Sequence, residues 1–254
     1  MILIATGMKR EAKALARDGV MVVVGGTDPV RLEAELEAGV AAGASVILSM
    51  GLAGALAPRM AVGDWVVGTI SPSGMERREW SVGAGGARPR EGVSLGKGPS
   101  RKTEASRAWI NRVAAVLPGA VVGRIHADGT MIVTARQKEE LHFSTRACAC
   151  DMESHIAARV AERHGLPFAV ARVISDAADR TLPRAAQVAM APDGGVRIGA
   201  VLLAILCRPW QLPALIGVAM DADRAMRKLV RGYNMLAGSG FGLGDQGKLP
   251  LDMA

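Results

Sequence analysis

The chain has 254 residues, and half of them are hydrophobic. This is enough apolar material for the core of one large α/β domain, and it excludes collagen-like, disulfide-scaffold and fully disordered proteins. The aromatic residues number eight, namely one Tyr, three Phe and four Trp. A flat organic ligand therefore has to be held mainly by aliphatic and Met side chains or by backbone groups.

Basic residues outnumber acidic ones by 31 to 24, which gives a net charge of +7, and 24 of the basic residues are Arg. Such a surplus is typical either of an Arg-rich solvated surface or of a protein with an anionic partner such as phosphate, nucleic acid or acidic lipid. No basic run exceeds two residues, and aromatic residues do not alternate with basic ones. We therefore do not expect nucleic acid as a partner.

The three cysteines, Cys148, Cys150 and Cys207, are too few and wrongly spaced for a zinc site, and their odd number is unlike a secreted disulfide scaffold. We expect no metal, no organic cofactor and a location in the reducing cytoplasm. The apolar start of the chain lacks the charged region of a signal peptide. The longest apolar stretch, residues 200–207, is far shorter than the roughly 20 residues that span a bilayer.

Short apolar runs alternate with helical patterns in the first 70 residues. The apolar runs predict strands at residues 2–6, 20–24, 45–50 and 65–70, and the spacing predicts helices at 11–17 and 30–42. Asp28 and Pro29 are a suitable cap and first residue for the second helix. The Gly, Arg, Ser and Pro content of residues 71–103 predicts a long loop.

The alternation continues to residue 174. Helices are predicted near 104–116 and 136–143 and from 151 or 152 to Gly165, with strands at 121–126 and 167–174 and a short apolar run at 147–150. This order predicts an α/β fold, a single domain with a central mixed sheet flanked by helices in three layers. We place this domain at residues 1–196.

The last quarter of the chain, residues 197–254, differs in character. Residues 196–207 are almost entirely apolar, Pro209 and Pro213 interrupt the chain, and apolar residues then recur at helical spacing from Leu215 to Leu236. This amphipathic helix either closes the domain by packing on the sheet or contacts lipid or a membrane. The segment is therefore part of the same domain or a lipid-facing extension.

Acidic residues follow several predicted strands. Glu11 follows the first strand, the segment 151–153 follows the run at 147–150, and Ser175 and Asp176 follow the strand that ends at residue 174, while a glycine-rich segment, 51–54, follows the strand at 45–50. Each acid alone could be a helix cap or a turn residue. Because ligands of α/β sheets bind beyond the carboxyl ends of strands, their joint placement favours a site for proton transfer and hydroxyl recognition.

These residues also carry a resemblance to a known family. The chain resembles the superfamily of purine nucleoside phosphorylases and methylthioadenosine/S-adenosylhomocysteine nucleosidases. The motifs, in order, are GMKRE at 7–11, MGLAGALAP at 50–58, VGDWVV at 62–67, DMES at 151–154 and LPFAVARVISDAAD at 166–179. The resemblance covers roughly the first 180 residues, with the segment 73–103 poorly matched, and implies an enzyme that cleaves the N-glycosidic bond of a nucleoside.

The resemblance implies roles for five residues. Asp176 is the acid that protonates N7 of the purine so that the base leaves neutral, and Ser175 holds its orientation. Glu153 binds the ribose hydroxyls and stabilises positive charge on the sugar, while Met152 packs under the ribose. Glu11 positions or deprotonates the attacking water.

The remaining substrate-binding residues are also implied by the resemblance. Phe168, Met131 and Ile132 frame the base, and Gly51 and Arg172 complete the set.

Two features do not decide whether the nucleophile is water or phosphate. Leu52 stands where the nucleosidase branch has Ser, while Lys9 and Arg10 beside Glu11 are either phosphate ligands or solvated charges. Hydrolysis and phosphorolysis are both compatible with the sequence, with inorganic phosphate as the cosubstrate of the second.

The final quarter points to a substrate. Residues 208–215 (RPWQLPAL) and the apolar helices around them resemble the C-terminal extension of the hopanoid-biosynthesis-associated phosphorylases, which are thought to remove adenine from adenosylhopane. The resemblance implies a lipid-linked adenine nucleoside as substrate, a homo-oligomer, and a cytoplasmic enzyme, loosely attached at most to the inner membrane face.

Two other functions remain open from the sequence. One is a methylthioadenosine/S-adenosylhomocysteine nucleosidase, and the other is a non-catalytic basic adaptor for nucleic acid or a membrane surface. A dinucleotide-cofactor binder is not expected, because a G-x-G-x-x-G segment after the first strand is missing.

Overall fold

The computed structural model describes residues 1–70, 101–189 and 191–240. The strands are β1 (Ile2–Thr6), β2 (Val20–Val24), β3 (Val46–Ala55), β4 (Trp65–Ile70), β5 (Val121–Ala127), β6 (Ala149–Asp151) and β7 (Phe168–Asp176). The helices are α1 (Lys9–Leu15), α2 (Pro29–Ala41), α3 (Arg101–Val116), α4 (Ala135–Thr145), α5 (Ser154–His164), α6 (Arg184–Gln187), α7 (Ile198–Cys207) and α8 (Leu212–Gly238), with a 3₁₀ turn at Pro209–Gln211. Almost all of the predicted loop at 71–103 lies outside the described residues.

The strands form a mixed sheet that closes partly on itself. β2, β1 and β3 are parallel, and β3 continues to both β7 (parallel) and β6 (antiparallel). β7 pairs with β4 antiparallel, and β4, β5 and β6 are parallel to one another, so that β3, β6, β5, β4 and β7 form a ring. The predicted mixed sheet flanked by helices is confirmed.

Local sequence explains several element ends. The Asp28 side chain accepts the Arg31 backbone N–H and caps α2, which begins at Pro29 as predicted. Thr134 and Gln137 cap α4 reciprocally. Gly165, with a φ of 66°, ends α5 in the left-handed conformation that favours glycine.

Strand β3 is longer than predicted. The glycine-rich segment 51–54 was expected to follow the strand, but it continues β3 and pairs with residues of β7, with a register shift between Ala53 and Gly54. Gly51 pairs with Arg172, and a Cβ on Gly51 would lie 2.6 Å from Arg172 Nη1. The segment is therefore a strand that leaves room for large side chains of its neighbours.

Helix α8 has two different halves. Its C-terminal half buries an apolar face in the core formed with β3, β4, β7 and α3, through Ala225, Met226, Leu229, Tyr233 and Leu236. The predicted apolar spacing of this helix is therefore the spacing of a core face.

Helix α7, in contrast, has no buried residue. In the described part of the chain no single helix is long and apolar enough to cross a membrane, and α7 passes that test only together with the segment Pro209–Gly238, to which it is bent by 114°.

Candidate active site

One cleft lies where the carboxyl ends of β1, β3, β6 and β7 meet helices α6 and α8. Its volume is about 950 Å³, including the open mouth. Eight predicted site residues and one further carboxylate, Asp151, line it together with apolar neighbours. The polar and sulphur-containing lining residues are Met8, Glu11, Thr130, Met131, Cys150, Asp151, Met152, Glu153, Arg172, Ser175 and Asp176.

Glu11 is a buried carboxylate held by the β1–α1 turn. Its Oε2 accepts the Thr6 hydroxyl at 2.8 Å and the backbone N–H groups of Gly7 and Met8 at 3.0 and 2.9 Å. Its Oε1 accepts the Leu52 backbone N–H at 2.7 Å. Because the main chain of residue 52 makes this contact, the Leu in place of Ser does not remove it. Helix α1 begins two residues earlier than predicted, which places Glu11 in its first turn.

Gly51 does not line the cleft. A Cβ at this position would lie 2.8 Å from Glu11 Oε1 and 2.6 Å from Arg172 Nη1. The expectation that Gly51 touches substrate is therefore corrected, because the glycine lies behind these two side chains and allows them to approach the strand.

Glu153 lies between two glycine backbones at the start of α5. A Cβ on Gly7 would be 2.7 Å from its Oε1, and a Cβ on Gly25 would be 2.8 Å from its Cγ. Burial raises the pKa of the Glu153 carboxyl well above its ordinary value; Arg172, 3.5 Å away, opposes this rise, and the carboxylates of Asp151 and Glu11 add to it.

Arg172 and Asp151 form a buried ion pair beside Glu153. Arg172 Nε donates to Asp151 Oδ2 at 3.0 Å, and its Nη2 donates to the Ser49 hydroxyl at 2.8 Å. Asp151 also accepts the backbone N–H groups of Glu153 and Ser154 at 2.9 and 2.8 Å. Asp151 thus binds the first backbone N–H of the helix, which begins at Ser154 rather than at 151 or 152. Arg172 is occupied largely by protein groups.

Asp176 lies at the end of β7, on the other side of the cleft. Its Oδ2 accepts the ammonium of Lys138, and its Oδ1 lies 3.4 Å from the Ser175 hydroxyl. Lys138 is fully buried on α4 and was not predicted. Its one sequence signal is its position three residues before Leu141, whose side chain packs in the core, so that a charge falls on the inward stripe of this helix.

Cys150 is the cysteine in the cleft. Burial raises the pKa of its thiol to about 12, with the nearby Asp176 adding to the rise. The group therefore stays a neutral thiol and does not act as a thiolate nucleophile.

Of the three residues expected to frame the base, two line the cleft and one lies outside it. Met131 and Ile132 line the cleft, together with Met152. Phe168 is the first residue of β7, paired with Ile47, whereas Asp176 is the last. At about 3.3 Å per residue, Phe168 lies far from the cleft, and its assignment to the base is corrected. Among the described residues, no aromatic side chain lines the cleft.

Lys9 and Arg10 point away from the cleft. Lys9 pairs with Asp193 and Arg10 pairs with Asp223, and all four side chains are largely exposed. The structure therefore does not bring the two expected phosphate ligands to Glu11, because acids from later in the chain hold them at the surface.

The remaining wall of the cleft is apolar. It consists of Leu182, Ala186 of α6, and Val218 and Ala222 of α8. These residues come from the last third of the chain and lie next to the exposed N-terminal half of α8.

Known proteins share this sequence pattern and fold. A family model described as the phosphorylase superfamily matches residues 3–207, whereas no curated protein matches the sequence. The fold is similar to that of a futalosine hydrolase from Helicobacter pylori, with a TM-score of 0.58 and 16% identity over 93% of this chain and 97% of that chain.

It is also similar to that of the 5′-methylthioadenosine/S-adenosyl homocysteine nucleosidase from the same organism, with a TM-score of 0.57 and 15% identity over 93% and 97%. At these identities the likeness concerns the fold. Because the family model covers most of its length, the chain belongs to the phosphorylase superfamily, and the predictions of this superfamily and of an enzyme are confirmed.

Proposed function

We propose that this protein removes adenine from an adenine nucleoside by cleaving the N-glycosidic bond. The observation that carries the proposal is the placement of Glu11, Glu153 and Asp176 in one cleft, from three separate strand ends. Acids on opposite sides of a cleft suit a reaction in which one partner gains a proton and the other develops positive charge. A non-catalytic adaptor has no need of such an arrangement.

In the proposed reaction, Asp176 donates its proton to N7 as the bond between C1′ and N9 breaks, and the electron pair of that bond passes to the purine. The sugar then carries positive charge, which Glu153 stabilises while it binds the ribose hydroxyls. Water attacks C1′ and gives its proton to Glu11. The products are neutral adenine and a sugar with a hydroxyl group at C1′.

The charges around the sugar end favour water over phosphate as the nucleophile. Glu11, Asp151 and Glu153 are buried there, and Arg172 already pairs with Asp151. A phosphate dianion would meet the carboxylates of Glu11 and Asp151 and the buried acid Glu153, whose raised pKa indicates that further negative charge is costly there. We therefore propose hydrolysis, without a cosubstrate.

The apolar wall supports a nucleoside with a large hydrocarbon group on its 5′ side. Leu182, Ala186, Val218 and Ala222 offer aliphatic surface, which stabilises a bound hydrocarbon in proportion to the area buried. Together with the resemblance of residues 208–215 to the hopanoid-associated enzymes, this supports adenosylhopane as the substrate.

Purified protein given adenosylhopane, 5′-methylthioadenosine or S-adenosylhomocysteine tests the substrate. We expect kcat/KM for adenine release to be at least tenfold higher for adenosylhopane, because the two small nucleosides leave the apolar wall unfilled. Equal or faster cleavage of methylthioadenosine would assign the protein to the small-nucleoside activity instead.

We also propose that the exposed apolar surface of α7 and the start of α8 contacts an anionic bilayer. Leu203, Leu206 and Trp210 are 63%, 79% and 72% exposed, and neighbouring exposed apolar side chains of this kind are typical of an interaction surface. Residues 194–220 include Arg197 and Arg208 but no acidic residue, a charge pattern that anionic headgroups attract. Such contact would place the protein at the membrane face, beside a lipid-linked substrate.

Flotation with vesicles of phosphatidylcholine and phosphatidylglycerol tests this contact. We expect the wild type to float and a Leu203→Gln, Leu206→Gln variant to stay in solution, while Phe143→Gln, at an exposed position on α4, floats like the wild type. If the wild type instead stays in solution and sediments as a dimer that the double variant dissociates, a second copy of the chain covers this surface.

A further inference from the structure

Lys138 contributes a fully buried ammonium directly behind Asp176. It reaches the end of β7 from α4, and its side chain has no exposure to solvent. Besides Asp176, it donates to the backbone carbonyls of Ala177 at 2.8 Å and Arg180 at 3.0 Å. An ammonium has three N–H groups, so these three acceptors satisfy it completely.

This arrangement gives the two oxygens of Asp176 different surroundings. Oδ2 is bound to Lys138, whereas Oδ1 faces Gly54, where a Cβ would lie 3.2 Å away, and the Ser175 hydroxyl. Asp176 retains some exposure on its cleft side, with 12% of its side chain accessible. Lys138 therefore determines which oxygen is free to meet the base.

We propose that Lys138 is a positioning residue for the protonation of the leaving base, an inference that rests on the proposed function. When the proton passes from Asp176 Oδ1 to N7 of the purine, negative charge appears on the carboxylate. The ammonium at Oδ2 stabilises that charge in a buried place, and it needs no reorientation to do so. Its contacts to Ala177 and Arg180 hold the loop after β7 in the geometry that the transfer requires.

A merely structural lysine, which ties α4 to this loop, would also be costly to remove, because it is a buried charge with partners. The two roles differ in their dependence on Asp176. A positioning residue acts through the acid, so that its loss matters little once the acid is gone, whereas a structural defect lowers activity whether or not the acid is present.

A double-mutant cycle with Lys138→Met and Asp176→Asn tests the proposal, using adenine release from adenosylhopane and from 5′-methylthioadenosine. We expect K138M alone to lower kcat roughly 10- to 100-fold with KM changed less than about threefold. In the D176N background we expect K138M to cause less than about a twofold further loss. Arg136→Met, an exposed position on the same helix, is the control and should match the wild type.

A second substrate gives an independent measurement. The base of 7-methyladenosine already carries positive charge and leaves neutral without a proton, so K138M should cleave it at nearly the wild-type rate. Equal losses in both Asp176 backgrounds, or an equal loss with both substrates, would overturn the role of Lys138. If the wild type releases no adenine from any of these nucleosides, the proposed function fails, and with it this inference.

Discussion

Asp176 and Glu153 are both carboxylates at strand ends, but their surroundings differ. Asp176 is paired with a buried ammonium and lines the cleft. Glu153 lies among other carboxylates with one guanidinium nearby, and burial raises its pKa. The ammonium beside Asp176 stabilises the carboxylate that remains after proton transfer, whereas burial and neighbouring carboxylates make negative charge on Glu153 costly until positive charge develops on the proposed substrate's sugar.

Asp176→Asn tests the acid directly. The amide keeps the size of the side chain but has no proton to give, so we expect kcat for adenine release to fall roughly 10²- to 10⁴-fold. Asp179→Asn, an exposed neighbour in the same segment, is the matched control. Adenine release by D176N near the wild-type rate would contradict the assignment.

The stability of a Glu153→Gln variant at different pH values tests whether the Glu153 carboxyl has a raised pKa in the folded protein. Because the pKa of Glu153 is raised in the folded protein from its ordinary value of 4.5, the folded chain binds more protons than the unfolded chain between the two values. Stability therefore falls as pH rises through that window. The uncharged Gln removes this loss.

Urea unfolding near pH 5 and near pH 8 gives the measurement. Relative to the wild type, E153Q should gain stability on the order of 1 kcal/mol or more at the higher pH, although its activity falls. Glu162→Gln, exposed on the same helix, should show no such trend. A relative loss of stability by E153Q at the higher pH would contradict the buried-acid account.

The sequence allowed part of the site to be predicted at this scale. Glu11, Glu153 and Asp176 follow apolar strand patterns, and the carboxyl ends of parallel strands meet at one edge. Lys138 escaped prediction because a lysine in a charged helix usually faces solvent. Phe168 was misplaced because its role was taken from the resemblance, although the strand predicted at 167–174 already put it at the opposite end from Asp176.

At the scale of elements, α8 combines a buried half and an exposed half. Gly232 lies where the helix crosses Trp65, and a Cβ there would be 2.3 Å from the indole ring and 2.8 Å from Leu117. Gly217, on the exposed half, has open space around the same position. One half of α8 is therefore closely packed against the core, and the other half is exposed to solvent.

Alanine substitutions at these two glycines should have opposite effects on the free energy of unfolding. Gly232→Ala should lower the free energy of unfolding by roughly 1–3 kcal/mol, because the methyl group overpacks a rigid ring. Gly217→Ala should raise it by up to about 1 kcal/mol, since alanine favours a helix. Thermal unfolding of both variants measures this, and a stabilised G232A would show that α8 does not pack on Trp65 as described.

Local sequence patterns predicted most of the helices and strands, but they did not predict which strands pair with one another. Most strand bounds follow from short apolar runs, whereas β3 extends through a glycine-rich segment whose length depends on partners in β7. The ring of β3, β6, β5, β4 and β7 joins strands far apart in sequence, and no local preference encodes such contacts.

At the scale of the whole molecule, the ring brings the ends of β3, β6 and β7 together, and the late helices α6 and α8 add an apolar wall to the polar floor. The family model ends at residue 207, so that α8, with Val218 and Ala222, follows the matched region. The matched region thus supplies the acids together with Leu182 and Ala186, and the final segment completes the apolar surface on which the proposed substrate depends.

Adenine release by the wild type, measured in phosphate-free buffer and again with inorganic phosphate, tests the central claim most directly. We predict equal rates under both conditions and a sugar product without phosphate, because the buried carboxylates near Arg172 favour water. Release that requires phosphate and yields a sugar 1-phosphate would contradict the hydrolytic account, and no release from any adenine nucleoside would contradict the assignment of the cleft.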